Sequence, residues 1–285
     1  MDEFNKIESL RTHLGQLRGD GESIAFVPTM GNLHQGHLEL VRQARQLASV
    51  VVVSIYVNPT QFGEGEDFDD YPRTLQQDRN KLESVGADVL FTPSDAEIYP
   101  HGTGDRALLT RVEVPGISDQ LCGSSRPGHF VGAATVVTKL LNIVQPKAAL
   151  FGRKDYQQLL VIRRLVEELN LPVEVIGVPT WREQDGLAMS SRNRYLTSEE
   201  REQAPLLYQT LQWVSRQLEA GREDYIQIEQ EGESRLQQAM FVVDYLSVMQ
   251  PSLLPAQSGS RSLIVLAAAN MGSTRLIDNC MVNLR

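Results

Sequence analysis

The chain has few cysteines and no long apolar segment. Its two cysteines, Cys122 and Cys280, lie far apart and form no C-x-x-C pair, so neither a zinc site nor a redox motif is expected. No apolar run reaches the ~18 residues of a membrane-spanning helix, and the polar residues 1–10 do not resemble a signal peptide. We therefore expect a cytoplasmic protein without a membrane partner.

Positive charge is also scarce. The 285 residues contain 27 lysines and arginines against 36 aspartates and glutamates, and the resulting net charge of −9 disfavours binding to nucleic acid. Only five of these basic residues are lysines, so a lysine inside a motif is noteworthy. Hydrophobic residues make up 41% of the chain, which is enough for a sizeable core, and the length suggests about two domains.

Three common catalytic motifs are missing from the sequence. There is no G-x-x-x-x-G-K-[ST] P-loop, no G-x-G-x-x-G after the first predicted strand, and no G-x-S-x-G nucleophile elbow. A P-loop enzyme and a nicotinamide dehydrogenase are therefore not expected, and a serine nucleophile is disfavoured.

Apolar runs alternate with helical patterns along the first two-thirds of the chain. Strands are predicted at 23–28, 50–57, 88–91, 148–151 and 173–178, with helices between them that include 74–85 and 133–144. The continuous apolar run at 50–57 is typical of a strand buried on both faces of a parallel sheet. The alternation predicts an α/β fold with a Rossmann-like, doubly wound parallel sheet, which binds ligands at the carboxyl ends of its strands.

The pattern changes in the last third of the chain. Thr197 and Glu200 have the spacing of a capping box, which predicts the start of one long helix. A helix near 225–240 and strands at 243–249 and 262–268 follow. We predict a Rossmann-like domain over residues 1–186 and a smaller C-terminal α+β domain over 187–285.

The strongest local motif is the segment 28–37, PTMGNLHQGH, which joins a predicted strand to a predicted helix. The free N–H groups and the positive dipole end of that helix favour a phosphate, and His34 and His37 add donors. Gly31 and Gly36 let the backbone approach the anion. The alternative is a solvent-facing turn with two incidental histidines. A zinc site is not indicated, because no third ligand stands nearby.

The segment 151–158, FGRKDYQQ, also begins at a strand end and enters a helix. Lys154 offers a point charge for a phosphate, Asp155 has the position of an N-cap, and Gln158 supplies neutral donors and acceptors one turn later. Taken alone, the segment is more typical of an ordinary capped helix start.

The segment 186–194, GLAMSSRNR, combines two hydroxyls, arginine and a glycine. This composition suits a mobile clamp over a polyphosphate. A polar interdomain linker explains the same residues, and that alternative stays open.

Amides and an acidic stretch follow the predicted strand at 50–57. Asn58 and Gln61 can recognise polar groups of a substrate without adding charge, and the carboxylates at 63–70 favour a solvated flap over a metal loop, since EF-hand spacing is absent. Arg126 and His129 in a Gly/Pro loop are suitable for a carboxylate or phosphate.

Six motifs in this order, PTMGNLHQGH, YVNPTQF, YPRT, RPGHF, FGRKDYQQ and GLAMSSRN, closely resemble the pantothenate synthetase (pantoate–β-alanine ligase) family of H-x-G-H nucleotidyltransferases. The likeness extends over nearly the whole chain. It implies ATP-dependent condensation of (R)-pantoate with β-alanine through a bound pantoyl adenylate, with release of pyrophosphate and then AMP. It also implies Mg²⁺ as cofactor and a homodimer whose smaller domain acts as a lid.

The resemblance assigns roles to individual residues. It implies catalytic roles for His34, His37, Lys154, Ser190, Ser191 and Arg192, with His37 as a donor to the phosphates. It implies binding of both pantoate and β-alanine by Gln61 and binding of pantoate by Gln158, with Asn58, Tyr71, Arg126 and His129 as neighbours. It implies ATP binding by Met30, Gly31, Asn32, Leu33, His34, Gln35, Gly36, His37, Gly152, Arg153, Lys154, Asp155, Trp181, Met189, Ser190, Ser191 and Arg192.

Two positions depart from the family pattern. Trp181 stands where a small aliphatic residue is usual, which changes the adenine pocket if the side chain faces the base. Asp78 is the candidate for the carboxylate on the magnesium side. Gln76 and Gln77 stand where the family often has further acidic residues. Mg²⁺ held mainly by phosphates and water fits its usual coordination.

Three other functions compete with the ligase. An adenylyltransferase would keep the nucleotide on its product, whereas the ligase releases AMP in proportion to an amine acceptor. A tRNA-charging enzyme is disfavoured by the short acidic chain. A nucleotide-binding regulatory protein without turnover is disfavoured by the complete set of motif residues.

Overall fold

The computed structural model describes residues 1–103 and 110–284, which form two compact units. The first unit comprises Met1–Arg153 and Gln158–Pro179, and the second comprises Lys154–Gln157 and Thr180–Arg285. The predicted boundary after residue 186 lies within the second of these units.

In the described part of the first unit, six parallel strands form one sheet in the order β1-β4-β3-β2-β5-β6. The strand order reverses between β2 and β5, so the predicted doubly wound sheet is confirmed, and ligands bind beside such a reversal. The strands are β1 (Asp2–Phe4), β2 (Ile24–Thr29), β3 (Val50–Ile55), β4 (Val89–Phe91), β5 (Ala148–Gly152) and β6 (Glu174–Val178).

Helices connect these strands and cover the sheet. They are α1 (Ile7–Gly19), α2 (Gln35–Leu47), α3 (Leu75–Ser84), α4 (Asp95–Ile98), α5 (Cys122–Ser125), α6 (His129–Val144) and α7 (Tyr156–Glu168). Buried Val41 and Ala44 of α2 pack with Val51 and Val53 of the central strand β3. The apolar run of β3 therefore lies in the core, as its composition predicts.

Two elements at the start of the chain escaped the sequence analysis. β1 is an edge strand with two exposed residues, so it carries no apolar run. Helix α1 buries only Leu10 and Leu14, four residues apart, among polar neighbours. Strand β1 therefore lacks the hydrophobic periodicity on which prediction depends, whereas α1 has Ile7, Leu10, Leu14 and Leu17 at helical spacing and was missed although its pattern is present.

The second unit packs helices against an antiparallel sheet. In its described residues the strands β7 (Val242–Met249), β8 (Ser262–Met271) and β9 (Thr274–Asn283) pair in the order β7-β8-β9. Leu207, Leu211 and Val214 of helix α9 (Leu206–Glu219) join a core with Leu263 and Val265 of β8. This α+β arrangement agrees with the prediction, although β9 was missed.

The long helix predicted after Thr197 is wrong. The capping box is present, since Thr197 Oγ1 accepts from the Glu200 amide at 3.2 Å and Glu200 Oε2 accepts from the Thr197 amide at 2.8 Å. The helix it opens, α8 (Ser198–Gln203), is short and is followed by the separate helices α9 and α10 (Tyr225–Gln238). Pro205 separates α8 from α9, because proline has no N–H for the helical ladder.

No helix within residues 1–103 and 110–284 is long and apolar enough to cross a bilayer.

Candidate active site

The two histidines of the H-x-G-H motif form the N-terminal turn of α2. His34 is the N-cap residue, and its Nδ1 accepts from the Gly36 amide at 3.1 Å. The Nδ1 of His37 accepts from the His34 amide at 3.3 Å, and the two rings lie 4.0 Å apart between centroids. Because Nδ1 is an acceptor in both contacts, the hydrogen of each neutral ring is on Nε2. Both imidazoles can therefore donate from Nε2 to an anion.

The turn before these histidines has left-handed backbone at two successive residues. Gly31 has φ 80° and Asn32 has φ 49°. The turn follows the carboxyl end of β2, beside the reversal of strand order, which is where a doubly wound sheet binds its ligand. Met30 and Leu33 flank these two residues, and Leu33 is buried.

Gln61 connects this turn to the amide-rich segment after β3. Its Nε2 donates to Met30 Sδ at 2.7 Å, and its Oε1 accepts from Asn58 Nδ2 at 3.2 Å. Asn58 is 1% exposed and also donates to the Gly132 carbonyl at 3.2 Å and accepts from Tyr99 OH at 2.9 Å. The contacts of Asn58 therefore orient Gln61, while its predicted role as a substrate ligand stays a prediction.

Arg126 and His129 lie next to Gln61. His129 Nδ1 is 2.8 Å from the Gln61 carbonyl oxygen, and Arg126 Nη1 is 3.0 Å from His129 Nε2. Arg126 also donates two hydrogen bonds of 2.6 Å to the carboxylate of Glu66 in the acidic flap. Burial alone would raise the pKa of Glu66, but the hydrogen bonds and charge of Arg126 hold it below its usual value. The Arg126 charge is therefore neutralised by Glu66 in this structure.

A cavity of about 340 Å³ lies at the carboxyl ends of β3 and β4 in the first unit. Met30 and Gly31 of the motif turn form part of its wall, together with Tyr56 and Arg73. The predicted substrate residue Tyr71 is only 4% exposed and packs edge-on against Phe62, so it supports the flap from inside.

The lysine segment spans the junction of the two units. Gly152 ends β5, and Arg153 Nε donates to the Gly177 carbonyl at 2.9 Å within the first unit. Lys154 and Asp155 belong to the second unit, and Lys154 Nζ is 3.7 Å from Asp155 Oδ2. Gln158 follows, partly buried, in the first turn of α7.

The serine–arginine segment begins on a hairpin in the second unit. The Met189 amide donates to the Trp181 carbonyl at 3.0 Å, and Arg182 pairs with Ala188 across a turn at Gly186. The Trp181 side chain is 42% exposed. Ser190 caps the 3₁₀ turn Ser191–Tyr195, its Oγ accepting from the Arg192 amide at 3.2 Å. A hydroxyl that accepts in this way still carries a hydrogen to donate.

A buried ion pair that the sequence analysis missed involves strand β9 of the second unit. Asp278, 3% exposed, accepts from Arg182 Nη1 at 2.5 Å and Nη2 at 2.9 Å. Arg182 also donates to the Gly186 carbonyl at 3.1 Å, and Asn279 Nδ2 donates to the Lys154 carbonyl at 2.9 Å. Burial alone would lower the pKa of Arg182, but Asp278 raises it, so the guanidinium stays charged. Strand β9 thus holds both Lys154 and the hairpin.

The described residues do not fit a metal held by the protein. Among them no three histidines, cysteines, aspartates or glutamates are grouped so that they could bind one ion. Asp78, the carboxylate expected on the magnesium side, is 0% exposed and accepts from the Asn32 and Leu33 amides at 2.8 Å each. The carboxylate is therefore committed to the backbone of the motif turn.

A doubly wound sheet with an H-x-G-H turn beside its strand reversal is the architecture of a class of nucleotide-binding transferases and ligases. The model of the pantoate-beta-alanine ligase family matches residues 2–281. The chain therefore belongs to the pantoate–β-alanine ligase family, and it is a ligase that forms the amide bond between pantoate and β-alanine in an ATP-dependent reaction.

Relatives and solved structures agree with this family over the full chain. The pantothenate synthetase of Ectopseudomonas mendocina (strain ymp) is 54% identical over 285 residues, which cover 100% of this chain and 99% of that protein. The crystal structure of pantothenate synthetase from Thermus thermophilus has a TM-score of 0.91 at 45% identity, with 98% and 99% of the two chains covered. Pantoate-beta-alanine ligase from Francisella tularensis, complexed with beta-gamma ATP and beta-alanine, has a TM-score of 0.82 at 37% identity, with 99% and 97% covered.

Proposed function

We propose that the H-x-G-H turn binds the phosphates of ATP through the Nε2–H groups of His34 and His37. The observation that carries this proposal is the use of both Nδ1 atoms as acceptors within the turn, which fixes the hydrogens on Nε2. The N-terminus of α2 adds backbone donors and a positive dipole end. An anion at this turn therefore meets several donors that are already in place.

The other ATP-binding residues are proposed from the same family resemblance. They supply one lysine, two arginines and two hydroxyls, which suit the charge of a triphosphate. The full proposed set is Met30, Gly31, Asn32, Leu33, His34, Gln35, Gly36, His37, Gly152, Arg153, Lys154, Asp155, Trp181, Met189, Ser190, Ser191 and Arg192.

The proposed reaction has two displacement steps. A carboxylate oxygen of pantoate attacks the α-phosphorus of ATP, and the bond to the β-phosphate oxygen breaks, which releases pyrophosphate. The amine of β-alanine then attacks the acyl carbon, loses a proton, and displaces AMP. A carboxylate is already a nucleophile, so the protein has to align the reactants and stabilise phosphate charge, and it needs no catalytic triad.

Pantoate and β-alanine are proposed to bind near Gln61. Its amide is held by Met30 and Asn58, so a substrate carboxylate or hydroxyl meets an oriented group. We propose Gln158 as a further pantoate ligand, and Asn58, Tyr71, Arg126 and His129 as neighbours of the same substrates. Glu66 takes two of the five N–H donors of Arg126 and balances its charge, so a substrate anion competes with Glu66 for this guanidinium.

Three further properties are proposed, two from the family resemblance and the location from the sequence. Mg²⁺ is proposed to enter with ATP, coordinated by phosphate oxygens and water, since the described residues do not fit a protein-held ion. The chain is proposed to form a homodimer and to act in the cytoplasm.

One assay tests the reaction. Pyrophosphate and AMP are measured with ATP, pantoate and β-alanine present, and then with each substrate omitted in turn. We expect pyrophosphate to require ATP and pantoate, and free AMP to require β-alanine as well. Nucleotide retained on the final product would identify an adenylyltransferase instead, and an absence of turnover under all conditions would favour a binding protein.

A further inference from the structure

The Asp78 carboxylate lies in the first turn of α3 and faces the backbone of the H-x-G-H turn. Its side chain is 0% exposed. Oδ2 accepts from the Asn32 amide at 2.8 Å, and Oδ1 accepts from the Leu33 amide at 2.8 Å. Two successive amides thus donate to the two oxygens of one carboxylate.

Helix α3 and its N-cap contribute two more contacts to this arrangement. Thr74 Oγ1 donates to Asp78 Oδ2 at 3.0 Å. Lys81 Nζ donates to the Leu33 carbonyl at 2.7 Å and is 3.9 Å from Asp78 Oδ1. A carboxylate has about four lone-pair positions, and here three accept hydrogen bonds while a lysine faces the fourth. No oxygen of Asp78 is left for an ion.

The turn has a left-handed backbone whose amides need an acceptor. Asn32 has a left-handed φ of 49°, and at Gly31 (φ 80°) an added β-carbon would lie 3.0 Å from Ile55 and 3.3 Å from Asp78 Oδ2. In some turns successive backbone N–H groups point to one side, and the concavity they form binds an anion. Here the amides of Asn32 and Leu33 both point at the Asp78 carboxylate. Without the carboxylate, the buried amide of Leu33 would lose its acceptor.

We propose that Asp78 is a positioning residue that fixes the turn at 31–33, so that His34 and His37 meet the nucleotide, and that it is not a ligand of the metal. The proposal rests on the proposed role of these histidines in binding ATP. It replaces the expectation that this carboxylate stands on the magnesium side of the site.

The test compares Asp78→Asn with the matched control Asp88→Asn. Asp88 is also a carboxylate that accepts from a backbone amide, Val51 N at 2.7 Å, and from an arginine, Arg45 Nη2 at 2.7 Å. It precedes β4, at the amino end of the sheet and therefore at the edge opposite the motif turn. Both substitutions replace one carboxylate oxygen by an amide nitrogen that cannot accept a hydrogen bond.

Two readouts separate positioning from general stability. In pantoate-dependent ATP–pyrophosphate exchange, we expect kcat/KM for ATP to fall about 10²-fold in Asp78→Asn, the cost of misplacing reacting groups by about 1 Å. In Asp88→Asn it should stay within about threefold of the wild type. Hydrogen exchange should accelerate at the Asn32 and Leu33 amides in Asp78→Asn alone. Unchanged exchange at these amides together with unchanged kcat/KM overturns the proposal.

A Mg²⁺ titration of the same variants tests the alternative role. The Mg²⁺ concentration that gives half-maximal rate should be equal in wild type and Asp78→Asn, whereas restoration of the variant by excess Mg²⁺ overturns the proposal. If Asp78→Asn does not fold, Lys81→Met is used instead, because it removes the donor to the Leu33 carbonyl. It should lower kcat/KM for ATP and accelerate amide exchange at residues 32 and 33 in the same way, but less. If Lys81→Met changes neither quantity, the proposal is overturned. A wild-type protein without ATP–pyrophosphate exchange contradicts the proposed function, while amide exchange still reports on Asp78.

Discussion

Gly132 provides a direct test of how closely α6 must approach the turn that carries Gln61. A β-carbon at residue 132 would lie 2.7 Å from the Gln61 amide nitrogen and closer still to the carbonyl oxygen of Thr60. The obstacles are backbone atoms, which cannot rotate away as a side chain does. Alanine therefore forces α6 and the turn apart by about 1 Å to reach ordinary contact.

The size of the effect follows from this displacement. Overpacking of this kind costs about 1–3 kcal/mol of stability. A shift of about 1 Å in a group that positions a substrate costs about 10²-fold in rate. We therefore expect Gly132→Ala to lower both the free energy of unfolding and kcat/KM for pantoate, since the contact between Asn58 and the Gly132 carbonyl moves as well.

Gly15 is the matched control, because it also lies within a helix and a β-carbon there meets nothing within 4 Å. Gly15→Ala should leave activity unchanged and raise stability by up to about 1 kcal/mol, since alanine is the better helix former. Stability is measured by denaturant unfolding and activity by ATP–pyrophosphate exchange at varied pantoate. A Gly132→Ala protein that matches Gly15→Ala in both measurements would refute the reasoning.

Three further predictions follow from the contacts of the site. Lys154→Ala should lower ATP–pyrophosphate exchange about 10²–10³-fold, the cost of losing a preorganised charge. Asn279→Ala removes the donor to the Lys154 carbonyl and should lower the exchange rate less, while the exposed Asn283→Ala is the control and should leave it unchanged. Near-normal exchange in Lys154→Ala would contradict its role. Gln61→Ala should raise KM for pantoate while ATP binding, measured by calorimetry, is retained, and equal loss of both would indicate misfolding instead. Glu66→Gln should cost about 1–2 kcal/mol of unfolding free energy at pH 7. Because the pKa of Glu66 is lowered in the folded state, this difference should shrink as the pH falls below the usual glutamate pKa and vanish below the lowered one. A pH-independent difference would show that the ion pair is not its source.

The sheet could be predicted because its signals are local. The apolar run of β3, the helical spacing in α2 and the turn between strand and helix each lie within a few residues. Thr197 and Glu200 likewise predict the start of α8 correctly. The length of that helix was predicted wrongly because Pro205 separates α8 from α9. Edge strand β1 was missed because an exposed strand needs no apolar pattern.

The sequence by itself determined the family and the residue types that chemistry at a phosphate requires. Only the tertiary structure decided which groups hold those residues in place. The carboxylate of Asp78 meets amides 45 and 46 residues away, and Asn279 meets a carbonyl 125 residues away. Such pairs form because folded strands and helices bring distant segments together, and no spacing in the linear chain encodes them. The contacts of Asp78 with the Asn32 and Leu33 amides are an example, because the sequence suggested a carboxylate near the metal and the structure shows one that binds the backbone of the motif turn.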